Sequence, residues 1–183
     1  MKSKKLAVLL AIVVCLAAVL ALSACKDDSF TAKVFDAYGK VTQAKQIKQT
    51  LVVKSGTEEL CKTDIVYDVA SGKATETTLM VDSAAPVTTT KDFDKATLTV
   101  ALKADSFTEL TENEQARTLT GTMSAENAKT LFGAGSTVNG SVAVFTNLTV
   151  VFALNADGSF ASLTVSYATA NGNNVTVTTA YTF

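Results

Sequence analysis

Residues 59–69 read "ELCKTDIVYDV". Cys61, Thr63, Ile65, Tyr67 and Val69 occupy every second position, while Lys62, Asp64 and Asp68 fall between them. A period of two sets the first group on one face of a pleated strand and the charges on the other. The flanking segments keep that period. Upstream, "QIKQTLVVK" alternates Ile47, Leu51 and Val53 with polar residues, and "SGTE" supplies a turn. Downstream, "ASGK" turns into "ATETTLMVD". After the only proline, Pro86, come "VTTTKDF" and "KATLTVALK", the latter alternating Ala96, Leu98, Val100 and Leu102. Threonine recurs in every segment, as β-branched residues do on half-exposed strands.

Further out the period changes. "SFTAKVFDAYGKVTQAK", residues 29–45, places Phe30, Val34, Ala37, Tyr38 and Val41 at helical spacing, with Asp28 or Ser29 as cap. Burial in a core is the expected fate of that stripe. "TLTGTMSAENAKTLFGAG" reads as a break between strands: Ser124 caps a short helix, Ala128, Leu131 and Phe132 form its apolar face, and Gly133 stops it. Three strands follow. "NLTVVFAL" meets "SFASLTVSYAT" through "NADG", and "NGNN" leads into "VTVTTAYTF". Val175, Val177, Thr179, Tyr181 and Phe183 share one side of the last strand, so the chain is expected to end inside the sheet. The sum is a mainly β (α+β) domain over residues 29–183, an antiparallel sheet with one N-terminal and one short helix.

The front of the 183-residue chain is different in kind. "MKSKK" is basic, and from Leu6 to Leu22 there is no charge, Ser or Thr. All nine Phe and all four Tyr come later, so the aromatic material for a core belongs to the downstream part. A basic start, an apolar run and small residues are the parts of an export signal, here residues 1–24. Removing them takes away Lys2, Lys4 and Lys5, leaving 13 basic against 17 acidic side chains, net −4. That balance gives no support for nucleic-acid binding, which needs a clustered basic surface.

Leu22-Ser23-Ala24-Cys25 resembles the lipobox of bacterial lipoproteins at all four positions. The resemblance implies cleavage between Ala24 and Cys25 and a diacylglyceryl thioether on Cys25. Two acyl chains, as in diacylglyceryl or palmitate-bearing anchors, hold a protein stably on a membrane where one does so only marginally. Residues 25–28 then form a tether of at most about 14 Å. Lys26, in place of an Asp, implies the outer membrane as destination in a host with two membranes, and the extracytoplasmic face of the cell membrane otherwise. With Cys15 removed and Cys25 acylated, Cys61 has no disulfide partner and is expected to face a core.

Chemistry is scarce. The chain has no His and no Trp, which removes the commonest general base, thiol activator and transition-metal ligand. No catalytic residue, metal or cofactor is expected, and the chain is read as not an enzyme. A carboxylate pair assembled from distant residues is the catalytic arrangement left open. The acidic pairs Asp27/Asp28, Glu58/Glu59, Asp92/Asp94 and Glu112/Glu114 are expected in turns or loops. "NADGSF" lacks the sixth-position Gly and the twelfth-position acid of a calcium loop, where Ser166 stands, so it reads as a turn.

A lipobox, a short tether, a helix containing "FDAYGKV", antiparallel strands, then "LTGTMSAENAKTLFG" and three closing strands are similar, as an order of elements, to the half-barrel superfamily. That superfamily comprises bacterial lipoprotein carriers and mycobacterial lipid-binding lipoproteins. The resemblance implies a curved, unclosed sheet wrapping an apolar cavity for acyl chains, covered by helices. Ile65, Tyr67, Leu98, Val100, Leu163, Val165 and Val177 are the candidate cavity lining; the same residues also suit a filled core. The expectation is a membrane-anchored lipoprotein that binds or transfers a lipid or other hydrophobic ligand. The alternative is a structural or protein-interaction module of the cell envelope built as a β-sandwich.

Overall fold

The computed structural model describes residues 29–94, 101–132, 137–138 and 141–183. Helix α1 (Phe30–Tyr38) and a 3-10 turn (Val41–Gln43) precede four strands: β1 (Gln46–Ser55), β2 (Glu58–Asp68), β3 (Lys73–Met80) and β4 (Val87–Asp92). A second 3-10 turn (Ala104–Ser106) leads to β5 (Glu109–Asn113) and β6 (Thr118–Met123), and then comes α2 (Ala125–Phe132). The short β7 (Thr137–Val138) pairs with β8 (Ser141–Leu154), and β9 (Phe160–Thr169) and β10 (Asn174–Thr182) finish the chain. The strands form one antiparallel sheet in the order β4-β3-β2-β1-β10-β9-β8-β6-β5, with β7 beside β8. The sheet is not closed: β4 and β5 are its edges. A sandwich would divide these strands between two sheets; here they follow one hydrogen-bonded path.

Local rules explain most boundaries. Ser29 Oγ accepts from Ala32 N (3.2 Å) and caps α1. The helical pattern of residues 29–45 runs on, but the α-helix stops before Gly39 and finishes as the 3-10 turn that buries Val41. Ser124 Oγ accepts from Asn127 N (3.2 Å), as expected of the α2 cap. The strand expected over residues 95–103 lies mostly outside the described residues, and Ala101–Lys103 carry no strand.

The segment "TLTGTM" is not a break. It is β6, paired with β5 on one side and β8 on the other. Three acidic residues in "TELTENE" disguise β5, and Gly121 weakens the strand signal in β6. Gly121 is there because the Phe107 ring lies over it and would overlap any Cβ. Glu58, Glu59, Asp92 and Glu112, expected in loops, stand in β2, β4 and β5.

Both helices lie on the same face of the sheet. Val34, Ala37 and Tyr38 of α1 and Ala128 of α2 join Leu119, Leu148, Phe152 and Phe160 in one buried cluster. Tyr38 meets Phe152 and Phe160 edge to face, with centroids 5.5 and 5.2 Å apart. Such pairs add about 0.5–1.5 kcal/mol each beyond the burial itself. Among the described residues no helix covers the far face, which is rich in threonine. One row across nine strands runs Thr88–Thr77–Asp64–Thr50–Thr178–Thr164–Val151–Thr120–Thr111. Hydroxyls bridge strands within it, Thr77 to Thr88 at 3.2 Å and Thr164 to Thr178 at 3.1 Å, and Thr50 donates to Asp64 Oδ1 at 2.7 Å.

Candidate functional site

Register decides what the covered face presents. One row reads Glu112–Leu119–Phe152–Leu163–Thr179–Gln49–Ile65–Glu76–Thr89, and the next reads Leu110–Gly121–Val150–Val165–Val177–Leu51–Thr63–Thr78–Val87. The β6–β9 side is apolar and buried beneath α1 and α2. Beyond β10 the same face turns mixed: polar Thr179, Gln49, Glu76, Thr63 and Thr78 interleave with Ile65, Leu51 and Val177.

The polar groups are organised among themselves. Tyr67 Oη donates to Gln49 Oε1 (3.4 Å), and Gln49 Nε2 donates to Thr179 Oγ1 (3.2 Å). Lys91 Nζ donates to Glu76 Oε2 at 2.7 Å, and the Thr63 and Thr78 hydroxyls are 3.0 Å apart. Burial pushes the Tyr67 hydroxyl above its ordinary pKa, so it stays protonated and a donor. The hydrogen bond to Glu76, reinforced by its charge, holds the Lys91 ammonium above its ordinary pKa. This band lies where two clusters of buried residues meet, with Tyr67 itself in the larger and Tyr167 packed against both. On one side lies the large cluster under the helices; on the other Val53, Cys61 and Val175 form a small cluster of their own. Cys61 is buried there as its alternation predicts.

The expected lining residues fall into two states. Ile65, Tyr67, Leu163, Val165 and Val177 are all on the covered face, in three adjacent rows. Tyr67, Leu163 and Val165 are buried within the large cluster. Ile65 and Val177 are half-buried and edge the polar band. Leu98, Val100 and the processing site Ala24–Cys25 lie outside the described residues. Gln49 and Thr179, at the centre of the band, escape a reading made strand by strand. Each is the polar member of an otherwise apolar alternation, and only pairing sets them side by side.

Among the described residues, three grooves border α1. The largest, about 370 Å³, lies between α1 and the β8–β9 turn and includes Lys33, Lys40, Arg117, Phe30 and Leu154. A second of about 290 Å³ shares Ala37, Lys40 and Gly158 with it. The third, about 230 Å³, is lined by Phe35, Tyr38, Val41 and Leu102. Among the described residues no cluster of His, Cys, Asp and Glu suits a metal ion, and no helix is long and apolar enough to cross a membrane.

No protein-family model matches the chain, and no curated protein matches it.

Proposed function

We propose that the protein is a non-enzymatic, extracytoplasmic lipoprotein, held to a membrane through diacylglyceryl-Cys25, that binds a lipid or other hydrophobic ligand on the covered face of an unclosed half-barrel. The observation that carries this reading is the mixed, half-buried part of the covered face. There Leu51, Ile65 and Val177 stand half-buried beside the Tyr67–Gln49–Thr179 chain, Ile65 packed against the large cluster and Leu51 and Val177 against the small one. An amphiphile suits that mixture, with its chains on the three aliphatic residues and its polar end at Gln49 or the Lys91–Glu76 pair. The lipobox-like residues and their basic, apolar leader support the anchor.

Two measurements on the full chain test the two halves separately. Metabolic labelling with a fatty-acid analogue is expected to mark the wild type and not Cys25→Ala; an unlabelled wild type overturns the anchor. Solvent extraction of the purified protein, followed by mass spectrometry, is expected to release a non-covalent lipid whose yield falls in Ile65→Asn. A protein that carries no lipid, or an Ile65→Asn yield equal to wild type, overturns the ligand.

A second reading, a protein-interaction module of the envelope, is favoured by the end of the β3–β4 hairpin. Leu79, Met80, Val81 and Val87 are exposed there, Val87 by 64%. Crosslinking at Val87 to a single envelope protein, with no extractable lipid, would support it in place of the first.

A further inference from the structure

Every left-handed backbone position among the described residues is a glycine except one. Gly56, Gly72, Gly158 and Gly172 have positive φ as their turns require, and so does Arg117, at φ 55°. The β5–β6 turn that holds Arg117 is fixed at both ends. Arg117 N donates to Glu114 O (3.1 Å), Leu154 N donates to Arg117 O (3.0 Å), and Ala116 N donates to Asn113 Oδ1 (3.0 Å). A side chain at this position strains the backbone, and glycine is what the last residue of such a turn favours. The sequence places its only arginine there.

That arginine borders the 370 Å³ groove, together with Lys33 and Lys40 of α1. Among the described residues none of the three cations makes an ion pair; the lysines that do are Lys62, Lys73 and Lys91. Asp36 is the one carboxylate lining the groove, so positive charge prevails. In the adjoining groove the Asp157 carboxylate is taken by Ser159, whose N and Oγ donate to it at 2.9 and 2.7 Å. Three cations with no ion pair among the described residues line a concave space with Phe30 and Leu154 in its walls, and one of them is held at a strained position.

We propose that this groove binds a phosphate-bearing anion. The Arg117 guanidinium provides a two-pronged donor matched to a phosphate, and Lys33 and Lys40 provide flanking point charges. Phe30 and Leu154 contact the carbon skeleton next to the phosphate. The site lies between α1 and the β8–β9 turn, apart from the Tyr67–Gln49–Thr179 band, and does not depend on the lipid reading above. Its ligand is either a phospholipid headgroup or a free phosphate compound.

The test uses the full chain in a neutral sugar-based detergent. One arm titrates inorganic phosphate by isothermal calorimetry. The other measures retention by micelles doped with phosphatidylglycerol against micelles doped with phosphatidylcholine. Arg117→Gly is the central variant, because it removes the fork and relieves the backbone, so thermal stability is expected to hold or rise. Lys40→Gln is the second. Saturable phosphate binding that weakens about tenfold in Arg117→Gly, on the scale of one charge-assisted contact, supports the site with a free phosphate ligand. Preference for phosphatidylglycerol that Arg117→Gly abolishes, without binding of inorganic phosphate, supports the headgroup. Absence of both, or binding that neither variant alters, overturns the proposal.

Discussion

The two wings of the sheet are pleated alike and bury differently. On the β8–β9 side, Leu148, Val150, Phe152, Phe160, Leu163 and Val165 are all buried. On the β3–β4 side, Ala74 is the buried residue of β3, and all six residues of β4 are exposed. The pleat sends alternate residues to each face in both, so pleating does not set depth. What differs is cover. Helix α1 packs on β8 and β9, and α2 on β8. The lesson is that alternation names a face, while the elements lying on that face decide which strands become core.

The strongest way to break this comparison is to remove an aromatic from the covered wing. Phe152 is fully buried and meets Phe35, Tyr38, Phe107 and Phe160. Phe152→Ala is expected to destabilise the protein by about 3–5 kcal/mol in chemical denaturation. On the other wing Val87→Ala should stay within about 0.5 kcal/mol. Equal losses would mean that the β3–β4 wing is covered as well.

The next test concerns the close approach that makes "TLTGTM" a strand. Gly121→Ala pushes a methyl group into the Phe107 ring and is expected to cost about 1–3 kcal/mol. Adding Phe107→Leu should recover part of that loss, since the obstructing ring is then gone. No recovery would place the cause in the backbone.

A smaller effect sharpens how the helix is held on its wing. Glu112, from the edge strand β5, accepts from Thr31 N (3.0 Å) and Thr31 Oγ1 (2.5 Å). The first turn of α1 contains no acid of its own, so this carboxylate supplies the negative charge its N-terminus favours. Glu112→Ala is expected to lower stability by about 1 kcal/mol, read as a drop in Tm.

The smallest effect lies on the open face. The Thr50 hydroxyl, ahead of Lys62, holds Asp64 below the usual carboxylate range against the opposing effect of burial. A carboxylate depressed on folding stabilises the protein above its unfolded pKa, about 3.9, and loses that contribution as pH falls through the folded value. Thr50→Val should therefore be less stable than wild type at pH 7 and converge with it at low pH. Because Asp64 is well exposed, the gap should be under about 1 kcal/mol.

Much of this architecture is legible in the chain. The α1 stripe, the Ser29 and Ser124 caps and the glycine turns follow from short-range rules, and so does the alternation of β2 and β10. Where the reading failed, the cause was long range. Segment 118–123 is a strand because β8 pairs with it and Phe107 seals over its glycine, and neither partner is near in sequence. Glu112 reads as loop charge until α1 is seen to end against it.

The candidate sites divide the same way. Ile65, Tyr67, Leu163, Val165 and Val177 share a face that their own strands specify. Tyr67, Leu163 and Val165 are closed off, while Ile65 and Val177 remain half-open; that depends on strand order and helix placement. The basic groove left no local trace. Lys33 and Lys40 look like ordinary surface charges of a helix, and Arg117 lies 77 positions beyond Lys40.

By itself, the sequence determined the period of most elements, the turns between them, the face their apolar side chains take and the basic, then apolar make-up of the N-terminal segment. These depend on neighbours within a few residues, where backbone sterics and side-chain size act directly. Tertiary structure alone decided strand order, the assembly of the polar band and the sharing of one groove by Arg117 and α1. Each of these is a contact between residues far apart in the chain, fixed only when the whole sheet pairs and the helices settle on one of its faces.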